Sequence, residues 1–210
     1  TIFRERLAKK EISFSANTWG VLPDTASVLL GSVKRNLFPV LKRALKKSDN
    51  LCAEALFYHL AANYSRERWA GTKEGQEAIY QFMRTELGFN PSDYRIMDGS
   101  GVSLYNYISP ELLLAYLKYA YYHSSVFQPF YEALPIAGID GTLQHRMKLG
   151  KAYRNVRAKT GTVTGISSLA GYVKAANGNM LAFVIINQNV LKNSAAHRFQ
   201  DRLCEILAAP

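Results

Sequence analysis

The stretch "RNVRAKTGTVTGISSLAGYVKAANGNMLAFVIINQ" (residues 154–188) decides how this chain folds. Three apolar-rich segments, 154–159, 168–175 and 180–187, are separated by turn residues, the pattern of short strands. Asn177-Gly178 between the second and third is a strong hairpin signal, because both residues tolerate the left-handed backbone that tight hairpin turns demand. The segments read as an antiparallel meander. The first leads into Lys159-Thr160-Gly161-Thr162. A Thr-Gly turn between solvated strands would explain those residues, and so would a strand edge that holds an anionic ligand.

Working outward, the segments before the meander are helical. "FPVLKRALKK" (38–47) puts Val40, Leu41, Ala44 and Leu45 on one face and basic residues on the other. Ser48-Asp49-Asn50 interrupts it with three side chains that favour caps and turns. A second apolar helix, "LCAEALFYHLAANY" (51–64), follows. Residues 72–87 form the next, with Ile79, Phe82, Met83 and Leu87 on one face and Gly88 suited to the C-terminal cap. "DGSGVSLYNYISP" (98–110) is glycine- and serine-rich, hence a loop. Ser109-Pro110-Glu111 then supplies an N-cap, a first-turn proline and an acid for a helix to about Tyr122. "LPIAGIDGTL" (134–143) is loop-like. A closing helix covers about 194–207, with Phe199, Leu203 and Ile206 apolar. Near the N-terminus, 4–11 reads as a short charged helix and "ISFSA" (12–16) as a strand. Helices, then a meander, then a terminal helix make a layered α/β (α+β) domain without βαβ alternation.

Composition supports a packed core, with 48% hydrophobic and 12% aromatic residues in 210. No run of about 18 apolar residues exists to form a transmembrane segment. The net charge is +10, which calls for an anionic partner. The basic residues are spread through groups at 4–10, 42–47 and 146–159. They form no basic tail and no stripe with interleaved aromatics, which argues against nucleic acid. Cys52 and Cys204 are two free buried thiols or one disulfide. His59, His123, His145 and His197 lack metal-ligand spacing, so no metal is expected.

Ser48-Asp49-Asn50 and Lys159-Thr160-Gly161-Thr162 are the residues with chemistry to offer. A lysine on a strand holds a carboxylate and lowers the pKa of nearby hydroxyls. Thr160 and Thr162 add hydroxyl donors. Gly161 lets a ligand backbone approach the strand edge without a Cβ clash. A backbone N–H near Thr162 can form half of an oxyanion hole, where one donor is worth about 3 kcal/mol. Ser48 can relay a proton to a leaving amine, and Asn50 can hold an amide. Asp49 is read as a capping or turn residue, and Asp140-Gly141-Thr142 as the start of a helical turn.

These tripeptides form part of the motif set of penicillin-binding proteins and class A β-lactamases. With "LKKSDNLCAEALFYHLA", "DGSGVSLYN", "LPIAGIDGTLQHRM" and "RAKTGTVTGISSLAGYV", the chain from about Ser32 onward resembles the class C low-molecular-mass penicillin-binding proteins. These are the D-alanyl-D-alanine carboxypeptidases and endopeptidases of the DacB type. The resemblance implies a penicillin-binding/β-lactamase-like transpeptidase fold. It implies catalytic roles for Ser48, Asn50 and Lys159 and substrate-binding roles for Thr160, Gly161 and Thr162. It further implies a periplasmic or extracellular serine enzyme of the cell envelope, with no metal or organic cofactor. Peptidoglycan stem peptides and β-lactam antibiotics are the implied partners, and a homo-oligomer stays open.

Two departures stand out. Leu104 replaces an arginine usual in the family's "DGSGLSR". More seriously, none of the serines has a lysine three residues later, so the nucleophile motif Ser-x-x-Lys is absent from these residues. The expectation is that residues 1–31 lead out of an inserted region and 32–210 form the C-terminal part of the transpeptidase domain. The N-terminal strands and nucleophile helix would then lie outside the chain, the sheet would show an exposed edge, and the chain alone would be inactive. The alternatives are a catalytically dead peptidoglycan-binding protein, or a class A-like β-lactamase with Glu86, in Glu86-Leu87-Gly88-Phe89-Asn90, as deacylating base.

Overall fold

The computed structural model describes residues 2–13, 33–66 and 69–209, with side chains from Arg4 onward. Contacts divide the chain into two units, Thr1–Arg35 and Asn36–Pro210. The first unit contributes helix α1 (Ile2–Ala8). The strand expected over 12–16 lies mostly outside the described residues, and Ile12 and Ser13 are not in a strand.

In the second unit, α2 (Phe38–Lys46), α3 (Asn50–Ser65) and α4 (Thr72–Thr85) come first, followed by a 3-10 turn at Pro91–Asp93. Helices α5 (Pro110–Tyr122) and α6 (Ser124–Ala133) precede a second 3-10 turn, Gly141–Leu143. Strands β1 (Arg157–Val163), β2 (Ile166–Lys174) and β3 (Met180–Asn187) form an antiparallel sheet in that order, and α7 (Asn193–Leu207) closes the chain.

Local chemistry explains the boundaries. The Ser109 side chain accepts the Leu112 N–H at 3.1 Å and starts α5. Gly88, at φ +71, ends α4 while the Phe89 N–H reaches back to the Met83 carbonyl. Gly178, at φ +90, closes the β2–β3 turn, its N–H bonded to the Ala175 carbonyl.

Two elements differ from the sequence pattern. The first strand runs Arg157–Val163 instead of 154–159. Arg154 is left-handed, φ +59, and the Asn155 and Val156 N–H groups bond the Ala152 carbonyl, so this stretch turns before it extends. Lys159 through Thr162 consequently lies inside the strand. Helix α6 has no clear signature because Pro129 sits within it. Its Phe127, Phe130 and Tyr131 nevertheless pack on buried Tyr172.

Side chains alternate across the sheet. One face, with Ala158, Leu169, Val173 and Phe183, packs on Leu143, Met147 and Cys204, the last from α7. On α7 the buried positions are Ala196, Gln200 and Cys204, whereas the apolar Phe199 and Ile206 are exposed. The other face presents Ala170, Tyr172, Ala182 and Val184 to Leu45 of α2, Leu117 of α5 and α6. Helices, sheet and a terminal helix thus form three layers, the α+β architecture expected.

Candidate active site

Ser48 stands between two helices. The α2 helix caps at Lys47, and Ser48 follows at φ +52. Asp49 then caps α3, accepting the Cys52 N–H at 3.0 Å and Arg43 Nε at 2.6 Å. Those two donors hold the Asp49 carboxyl below the usual range, the Cys52 N–H contributing most. The expected capping role of Asp49 is what the structure shows. Ser48 itself is exposed.

Lys159 points from β1 to the same side of the sheet as α2. Its Nζ donates to Ser48 Oγ at 2.7 Å and to the Thr160 carbonyl. Residues 111 apart in sequence are thereby in direct contact. Burial lowers the Lys159 pKa below the ordinary 10.5. Both partners are neutral oxygens, so a lysine easier to deprotonate sits on a hydroxyl, the chemistry of a proton relay.

The outer edge of β1 is only partly covered. Ala137 N–H bonds the Val156 carbonyl, and Ala158 N–H bonds the Pro135 carbonyl. Beyond Ala158 no strand pairs with this edge among the described residues. Backbone groups alternate in direction along an antiparallel strand. The Thr160 and Thr162 N–H groups therefore share the outward direction of Ala158, where a ligand could accept from them. The Thr160 hydroxyl bonds Thr142 Oγ1 at 2.9 Å, while Thr162 is exposed.

Gly161 has a second reason to lack a side chain. A Cβ there would stand 2.4 Å from Ser168 Oγ, which donates to the Gly161 carbonyl at 3.3 Å. Gly161 and Thr162 also line a hollow of about 250 Å³ with the 101–108 loop. Asp98 organises that loop, accepting from the Gly101 and Ser103 N–H groups and from Asn106 Nδ2. Glu54 of α3 accepts from Gly99 and Ser100 N–H. Leu104, 80% exposed on the rim, offers no polar group to a ligand.

The structure thus gathers Ser48, Lys159, Thr160, Gly161 and Thr162. Asn50 is exposed at the first residue of α3, and among the described residues no hydrogen bond joins it to Lys159 or Thr160. Glu86 is the exposed C-cap of α4. It lines a different hollow, with Phe89, Lys118 and Tyr119, away from the Ser48–Lys159 contact. Thr142, which bonds Thr160, was not expected at the site, nor was an ion pair between Lys46 and Asp140. Asp140-Gly141-Thr142 does begin a 3-10 turn, but the Asp140 side chain pairs with Lys46 instead of capping it.

The profile of the D-Ala-D-Ala carboxypeptidase 3 (S13) family matches residues 1–209. The chain belongs to that family. D-alanyl-D-alanine carboxypeptidase DacB of Haemophilus influenzae is 34% identical over 164 residues, 77% of this chain and 34% of that protein. D-alanyl-D-alanine carboxypeptidase of Actinomadura sp. is 32% identical over 188 residues, 87% of this chain and 34% of the relative. The chain spans about a third of the length of the curated relatives it matches. Penicillin binding protein 4 (dacB) from Haemophilus influenzae, in complex with a novel beta-lactam, superposes with a TM-score of 0.85 at 30% identity. The match covers all of this chain and 50% of that one. The TLA-3 extended-spectrum beta-lactamase shares the fold at 19% identity, TM-score 0.61, over 97% of this chain and 78% of that one. The S13 chain is of the DacB type and has the penicillin-binding/β-lactamase-like fold that its motifs imply.

Proposed function

We propose that this chain is the substrate-holding part of a serine-type D-Ala-D-Ala carboxypeptidase or endopeptidase that acts on peptidoglycan peptides and is acylated by penicillin. The observation that carries the reading is the 2.7 Å contact between Lys159 Nζ and Ser48 Oγ. Family membership supports the substrate class. The nucleophilic serine, with a lysine three residues on, belongs to polypeptide outside these 210 residues. Residues 32–210 are the C-terminal part of its transpeptidase domain, and 1–31 lead out of an inserted region. The envelope, periplasmic or extracellular, is where such a substrate lies.

In the intact enzyme that serine attacks the D-Ala-D-Ala carbonyl while its neighbouring lysine takes the proton. Ser48 and Lys159 relay the proton to the nitrogen of the departing D-alanine as its bond to the acyl carbon breaks. Water then attacks the ester and frees the shortened peptide. Thr160 and Thr162 hold the terminal carboxylate with Lys159. The Thr162 N–H, on the open edge of β1, stabilises the developing oxyanion. Asn50 holds the substrate amide. No metal or organic cofactor takes part. Removing the nucleophile of a serine hydrolase costs on the order of 10⁶ in rate, so the 210 residues alone are expected to release no D-alanine.

Labelling with fluorescent penicillin, on this chain and on the longer gene product side by side, tests the proposal. Label on the longer form alone is the expected result. Label on neither form would overturn it in favour of a peptidoglycan-binding protein without chemistry.

A further inference from the structure

Lys46 is the only buried charged residue among the described residues, 8% exposed. It lies two positions before Ser48. Its Nζ donates to both carboxylate oxygens of Asp140, at 2.8 and 2.6 Å. Asp140 Oδ1 also accepts the Ile136 N–H at 2.8 Å. Gly141, at φ +58, comes so close to α2 that a Cβ would stand 2.6 Å from the Lys46 carbonyl oxygen. The same loop is bonded to β1 on both sides of Lys159, through the Pro135 carbonyl to Ala158 N–H and through Thr142 to Thr160.

We propose that Lys46 and Asp140 are positioning residues whose ion pair sets the separation of Ser48 and Lys159. The pair fastens the end of α2 to the loop that braces β1 around Lys159. A buried ion pair is a weak stabiliser compared with an apolar pair of the same shape. Its distinguishing property is tethering. Lys46 engages both Asp140 carboxylate oxygens and the Ile136 N–H holds Oδ1 as well, so the two segments cannot part without leaving a buried ammonium unpaired, and Ser48 lies two residues beyond Lys46. The inference rests on the acyl-transfer reading only for what the contact serves.

The test uses the 210-residue chain labelled with 13C at lysine Cε, following the Lys159 titration by NMR. The double variant Lys46→Met/Asp140→Asn removes one positive and one negative charge together, so the field at Lys159 changes little. A staple without positioning influence would lower Tm and leave the Lys159 midpoint of the folded protein in place. Positioning predicts an upward shift of that midpoint toward the ordinary lysine value, as the contact opens and water enters. An unchanged midpoint in the folded double variant would overturn the proposal. Should that variant not fold, Asp140→Glu keeps both charges and lengthens the tether by one methylene. A displaced midpoint there supports the proposal, and an unmoved one contradicts it. No substrate is involved, so failure of penicillin labelling and failure of this experiment are separate results.

Discussion

Ser48 holds a left-handed backbone, φ +52, directly after Lys47, the C-cap of α2. Helices most often place glycine there, because any Cβ is strained in that conformation. Ser48 carries that strain with its hydroxyl held by Lys159 Nζ. Ser48→Gly relieves about 1 kcal/mol of that strain but removes the acceptor of the Lys159 bond, so urea unfolding should show little net gain in stability while penicillin labelling of the longer product falls. Lys159 carries a similar tension. Its folded-state pKa is depressed by burial, so between that value and 10.5 the unfolded chain binds a proton that the folded chain lacks. Stability then rises with pH across that window, and at neutral pH the cost of the partly desolvated ammonium is present in full. Lys159→Met should be more stable than the parent at pH 7, with the advantage fading as pH climbs toward 10.5. An advantage unaffected by pH would contradict this. At this scale the motifs were legible, since each chemical group sits within three or four consecutive residues. Thr142 was not, because its contact with Thr160 depends on how a loop folds back along β1. Nor was buried Lys46, which helical periodicity places with the solvated basic residues.

Among the elements, those with local chemistry at their ends were readable and those defined by tertiary packing were not. Ser109 announces α5, and Ser109→Ala should cost about 1 kcal/mol in thermal or urea unfolding; a change near zero would mean that another group caps the helix. Helix α6 is held by aromatic contacts with Tyr172 in spite of Pro129, which no periodicity reveals. The start of β1 depends on the left-handed Arg154, a conformation its residue type does not signal. The end of α4 carries a functional prediction. Glu86 is exposed and lines a hollow that neither Ser48 nor Lys159 borders, which speaks against a deacylating role. The acyl-enzyme of the longer product should persist for many minutes, followed by label retention in a chase. Fast penicillin turnover that Glu86→Gln abolishes would contradict this.

For the second unit as a whole, the order of helices, meander and closing helix was enough to indicate layers around one sheet. The sequence reading could not say which face of α7 is buried, because polar Gln200 lies in its centre. That side chain donates to Ser167 and Asn187 and accepts from Arg146, linking α7 to β2 and β3. Lys159, paired with Ala170, and Leu169, paired with Thr160, lie on opposite faces of the sheet. Leu169, fully buried on the α7 side, should cost about 2–5 kcal/mol on truncation to alanine without moving the Lys159 titration; a shifted titration would mean that the faces are coupled. The edge of β3 that faces away from β2 has no partner strand among the described residues, as expected if further strands come from elsewhere in the polypeptide. The central claim is that Lys159, held against Ser48 on the open edge of β1, does the acyl-transfer work of this domain. Its most direct test is the penicillin acylation rate of the longer gene product carrying Lys159→Ala. The account predicts a fall of about a hundredfold or more with the fold retained. Acylation at the parent rate would contradict it.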